Sequence, residues 1–86
     1  MGGVYTGNLS SLKTPGIYYC DFSNVTGTIY QSGYGWVEVS TVSSDGSALQ
    51  KVYRLGEGNV ITQIIIRPFI NSQWYGWRVL QTSAIS

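Results

Sequence analysis

The sequence predicts a mainly β domain: a small antiparallel sheet or sandwich of about five strands, with one short N-terminal helical turn that leaves α+β open. Three observations carry this. Gly35 to Val42 alternates at period two, with Val37 and Val39 facing away from Glu38 and Ser40. Asp45-Gly46 stands between two β-prone runs, a strong hairpin signal because both turn positions favour positive φ. Val60 to Arg67 is dense in β-branched residues.

Taken in chain order, Asn8 is a good cap before Leu9 and Leu12, whose spacing suits a single helical turn. Pro15 and Gly16 have structural roles: proline forces the residue before it into extended geometry, and glycine accepts the turn that follows. A first strand is expected from Ile17 to Phe22, and then a Ser/Asn/Thr/Gly-rich loop from Ser23 to Gly33. The second strand, Gly35 to Val42, pairs through the Asp45-Gly46 turn with a third from Leu49 to Leu55. Leu49, Tyr53 and Leu55 share one face of that strand, opposite Gln50, Val52 and Arg54. Gly56 to Asn59 forms a turn. In the fourth strand, Ile64 and Ile66 are expected on one face and Ile61 and Ile65 on the other, which makes it central; Pro68 is expected to end it. A last strand runs from Trp74 to about Thr82, with Tyr75, Trp77 and Val79 opposite Trp74, Arg78 and Leu80.

Residues 1–86 form a single domain, with 1–7 read as a flexible leader or cloning remnant and 8–82 as the folded part. A chain of 86 residues buries a modest share of its surface and is expected to need support. One cysteine and no histidine exclude an intrachain disulfide and a Cys/His zinc cluster, which leaves association with other subunits. Cys20 is read as core. Charged residues make up 10% of the chain, so its outer faces must be built from Ser, Thr, Gln, Asn and Tyr. The net charge of +1 and the scattered Lys and Arg give no nucleic-acid footprint. The apolar run around Ile64 to Ile66 is too short to span a bilayer, so no membrane insertion is expected.

Catalysis is poorly provided for: histidine is absent, and the acids are Asp21, Glu38, Asp45 and Glu57. The chain is read as a non-enzyme without cofactor or metal. Its strongest local signal is aromatic. Tyr34-Gly35-Trp36 and Tyr75-Gly76-Trp77 repeat one tripeptide. Either Trp36 and Trp77 fill one core from two strands, or exposed rings such as Tyr30, Tyr34 and Trp74 form a stacking platform for a sugar.

The stretch Leu9-Ser10-Ser11-Leu12-Lys13-Thr14-Pro15-Gly16-Ile17-Tyr18-Tyr19 resembles the opening of the knob-type domains of bacteriophage tail fibres and R-type pyocin fibres. Further matches follow in the same order: Gly33 to Val39 as a glycine-rich start of a strand, Gln50 to Tyr53 as Gln-x-x-Tyr, then Arg67 and Trp74-Tyr75-Gly76-Trp77 as Arg followed by Trp-x-x-Trp. The likeness spans about Asn8 to Leu80 and departs at Asn24 to Gly33, which lacks the family's Asn-Pro segment. It implies a structural role for Arg67 and a receptor-binding, host-attachment module of a viral or phage-like particle. Such a module is homotrimeric, made in the bacterial cytoplasm, carried at the virion tail, and serves as a spacer or contacts a bacterial cell-surface glycan. The alternative is a stand-alone carbohydrate-binding module.

Overall fold

A computed structural model describes residues 3–41 and 46–81. Two two-residue strands come first, β1 (Gly3–Val4) and β2 (Gly7–Asn8), followed by a 3-10 turn over Leu9–Ser11. Then come β3 (Gly16–Asp21), a second 3-10 turn over Phe22–Asn24 and β4 (Val25–Thr26). The long strands are β5 (Tyr34–Thr41), β6 (Ala48–Leu55) and β7 (Ile61–Ile70), and the chain ends on β8 (Gln73–Trp74) and β9 (Arg78–Gln81). The main sheet runs β1-β3-β5-β6-β7, with β8 and β9 both on the far side of β7. Only its β1–β3 pair is parallel, and β2 and β4 form a separate parallel pair. The mainly β, largely antiparallel fold predicted above is thus observed.

Local chemistry accounts for the turns. The Asn8 side chain accepts the Ser10 N–H at 2.9 Å, and Asp21 accepts the Ser23 N–H at 3.0 Å, so each 3-10 turn is capped by the residue type its start requires. After β6, Asn59 and Gly58 both take positive φ, which glycine and asparagine accept most readily. Strands β5 and β6 pair antiparallel as expected; Asp45, in their hairpin turn, lies outside the described residues.

Burial is one-sided. Cys20, Val37, Val39, Val52 and Ile65 project from one face of the sheet, and Leu9, Leu12, Phe22 and Val25 close over them from the two 3-10 turns and β4. Burying such side chains contributes about 1.5–3 kcal/mol each. The first helical turn therefore acts as a lid on the core.

Five expectations are corrected. Residues 3–7 are part of the structure: β1 pairs with β3, and the Tyr5 N–H donates to Tyr19 O at 3.0 Å. The Ser23 to Gly33 loop contains β4, because Val25 is needed in the core. Pro68 does not end β7, which continues to Ile70. The Pro68 carbonyl accepts the Tyr75 N–H at 3.0 Å, so its imino nitrogen also points toward residues 75–77, where the ladder is interrupted and no donor is missed. The last strand is broken at 75–77, which lets both Trp74 and Trp77 turn onto the covered face. Finally, a register shift opposite Arg54 and Leu55 places Ile61 beside Tyr53, on the face opposite Ile65.

Candidate functional site

Beneath the sheet lies a buried polar lock. Gln50 is fully buried, and its Nε2 donates to the carbonyls of Leu9 and Leu12 at 2.7 and 2.8 Å. Its Oε1 accepts from Arg67 Nε at 3.0 Å. The Arg67 guanidinium is held between two indoles, 4.2 Å from the Trp74 ring and 4.4 Å from the Trp77 ring. Trp74 Nε1 donates to Ser10 O at 2.9 Å and Trp77 Nε1 to Gly27 O at 3.1 Å. Burial pulls the Arg67 pKa down to about 10, still far above neutrality, so the group remains a cation. The lock fastens the lid to the sheet by satisfying polar atoms that the lid's own short turn leaves open.

The opposite face of the sheet is uncovered. Strand register aligns Tyr19, Trp36, Tyr53, Ile64 and Leu80 in one row across five strands, and Ile17, Glu38, Lys51, Ile66 and Arg78 in the next. Ile17 is 57% exposed and Leu80 50%, while Trp36, Tyr53, Ile64 and Ile66 are half-buried. Tyr19 stacks on Tyr34 with ring centroids 6.2 Å apart and meets Trp36 edge-on at 5.8 Å. The Tyr53 hydroxyl donates to Glu38 Oε1 at 2.6 Å, and this bond to the carboxylate pushes the Tyr53 pKa up to about 12. Ile17, Trp36, Glu38, Tyr53 and Ile61 line a hollow of about 370 Å³, and a second hollow of about 610 Å³ lies between Pro68, Ile70, Tyr75 and Arg78. An apolar face of this extent, carrying few charges, suits contact with another surface.

The aromatic residues singled out in the sequence are dispersed. Tyr34 is exposed on the open face. Tyr30 sits on the covered side, packed on Phe22 at 5.3 Å, beneath Arg54 and donating to Gln63 Oε1 at 2.6 Å. Trp74 belongs to the lock, toward the other end of β7. The three do not form one platform. Trp36 and Trp77 also do not fill one core: Trp36 shares the face of Glu38, whereas Trp77 packs beneath the sheet against Arg67. Position on the pleat separates them, since Trp36 is next to buried Val37 in a regular strand. The roles of Pro15 and Gly16 are local: Pro15 precedes β3, and Gly16 opens it at φ 151°.

The acids are also apart. Asp21 caps the second 3-10 turn, and its two hydrogen bonds from Ser23 lower its pKa; Glu38 lies on the open face, and Glu57 in an exposed turn. Among the described residues no group of three or more His, Cys, Asp or Glu could hold a metal ion. No helix among them is long and apolar enough to cross a membrane.

Sequence reasoning missed Gln50 as a structural hub and Glu38 with Tyr53 as a surface pair. The available signal was a polar residue, Gln50, sharing a face with Val52, together with apolar residues on both faces of β6 and β7. Of the residues behind the fibre-knob resemblance, Leu9, Leu12, Gln50, Arg67, Trp74 and Trp77 meet at the lock and its lid, whereas Trp36, Glu38 and Tyr53 lie on the open face. No family model matches the chain, and no curated protein or solved structure matches it either.

Proposed function

We propose that this chain is a structural and adhesive module of a phage or R-type pyocin tail fibre, assembling as a homotrimer through the open face of its sheet. The observation that supports this is the uncovered apolar face, where Ile17, Tyr19, Trp36 and Leu80 meet solvent although the lid covers the centre of the opposite face. A second copy would remove from water the surface that the chain's own lid leaves exposed, worth about 25 cal/mol for each Å² of apolar area buried. In this role the module is made in the bacterial cytoplasm, carried at the particle's tail, and performs assembly and host contact with no reaction of its own.

Light scattering coupled to size exclusion tests it. A mass three times that of the 9.5 kDa chain is expected. A protein that stays at 9.5 kDa at its highest soluble concentration removes the proposal.

One observation favours the second reading, a stand-alone carbohydrate-binding module. In the 370 Å³ hollow the Trp36 indole lies close to the Glu38 carboxylate and the Tyr53 hydroxyl, a pairing of ring and polar groups that suits a sugar. That reading requires a monomer whose tryptophan emission shifts with bacterial surface polysaccharide and no longer shifts after Trp36→Ala. The fibre reading expects this hollow to be closed by the neighbouring copy.

A further inference from the structure

The open face carries its charges asymmetrically, and that asymmetry bears on how copies meet. Register places Ile17, Glu38, Lys51, Ile66 and Arg78 at one height across β3, β5, β6, β7 and β9. The row's acid is on the β5 side and its outermost cation on β9, three strand spacings away, roughly 14 Å at about 4.8 Å per strand. Glu38 Oε1 is occupied by the Tyr53 hydroxyl, which orients the carboxylate on the face. Among the described residues Arg78 forms no ion pair, and its side chain is exposed beside the 610 Å³ hollow.

We infer that in the assembly a second copy of this chain sets its Arg78 against Glu38 of the first, with the symmetry axis running parallel to the strands. This deepens the self-association reading and rests on it. A rotation axis along the strands preserves height and brings the β3–β5 half of one face against the β7–β9 half of the next. The single acid of the row then meets the far cation, and the row of Tyr19, Trp36, Tyr53, Ile64 and Leu80 packs on its own counterpart. An axis perpendicular to the strands reverses height and separates the two charges. The same left-to-right contact closes three copies around a central line, with the strands lying along the fibre. Orienting a guanidinium on a carboxylate already fixed by a hydroxyl adds direction to an otherwise apolar contact.

Charge reversal tests the pairing. Sedimentation equilibrium is run on the wild type, Glu38→Arg, Arg78→Glu and the double variant, with circular dichroism showing that each is folded. Each single reversal is expected to weaken association at least about tenfold, and the double to recover to within about threefold of wild type, in line with close charge pairs across interfaces. A wild type that assembles while the double variant is no tighter than the singles overturns this arrangement and leaves self-association standing. A monomeric wild type overturns both.

Discussion

Replacing Gln50 with leucine probes the lock most directly, because that buried side chain makes two of the bonds from the sheet to the lid and also accepts from Arg67. The change keeps the volume apolar but removes two donations to the lid, at 2.7 and 2.8 Å, and the acceptor for Arg67 at 3.0 Å. A neutral hydrogen bond contributes about 0.5–1.5 kcal/mol net and one to a charged group about 1.5–3, so the three together amount to roughly 2.5–6 kcal/mol. An 86-residue chain has a total stability of roughly 4–13 kcal/mol on the usual per-residue scale, so the loss takes away a large share of it. The Arg67→Met change alone leaves Gln50 Oε1 without its partner and is expected to cost about 2–4 kcal/mol. In the double variant no buried cation remains to lack an acceptor, so its loss falls short of the sum of the singles by at least about 1 kcal/mol. Urea unfolding followed by tryptophan fluorescence measures all three. Additivity within about 0.5 kcal/mol, or a Gln50→Leu loss below about 1 kcal/mol, would show that the Gln50 bonds do not hold the lid.

Further outcomes follow from single sites. Gly35→Ala is expected to prevent native folding, because a Cβ there would collide with the Tyr53 carbonyl of β6; Gly76→Ala, with open space around it, should shift the urea midpoint little, and equal effects from the two would refute this account of the repeat. Burial pushes the Cys20 thiol up to about 11, so a thiol reagent at pH 8 should label it slowly in the folded protein and rapidly in urea; fast native labelling would contradict its place in the core. Tyr53 holds its proton more tightly when folded, at about 12 against an ordinary 10, so its bond to Glu38 contributes stability fully below pH 10 that is lost as pH rises through about 12. Tyr53→Phe should therefore remove the latest phenolate in an absorbance titration and flatten the alkaline fall in stability, and an unchanged titration would argue against the hydrogen bond.

The strands were legible in the sequence because their periodicity is local. Val37 and Val39 are buried as the alternation of β5 predicts, and β6 shows Gln50, Val52 and Arg54 on one face with Leu49 and Tyr53 on the other. Which of those faces is covered was not legible. The face of Gln50, Val52 and Arg54 turns out to be the covered one, with Gln50 fully buried, while Tyr53 and Leu55 lie on the open side. The choice is made by contacts 38 and 41 residues apart in the chain, from Gln50 to the lid carbonyls, and no short-range pattern encodes them. The Tyr-Gly-Trp repeat misled for a related reason. Gly35 lies in an unbroken ladder that sends Trp36 outward, whereas Gly76 lies in a gap of the ladder, which frees Trp77 to reach back to Arg67.

The two faces also divide the chemistry of the chain. Leu9, Leu12, Gln50, Arg67, Trp74 and Trp77 face one another below the sheet, so a change among them acts first on folding. Ile17, Glu38, Ile66 and Arg78 point the other way across a layer one strand thick, so a change among them acts first on what the sheet touches. Sites without shared partners are usually additive, which makes the two properties separable by measurement. A variant such as Arg78→Glu should weaken assembly at unchanged monomer stability, and Gln50→Leu should lower stability while the molecules still folded assemble as before. If open-face substitutions instead lowered stability to the extent that lock substitutions do, the sheet would need its neighbour in order to fold, and the assembled form would be the smallest stable unit.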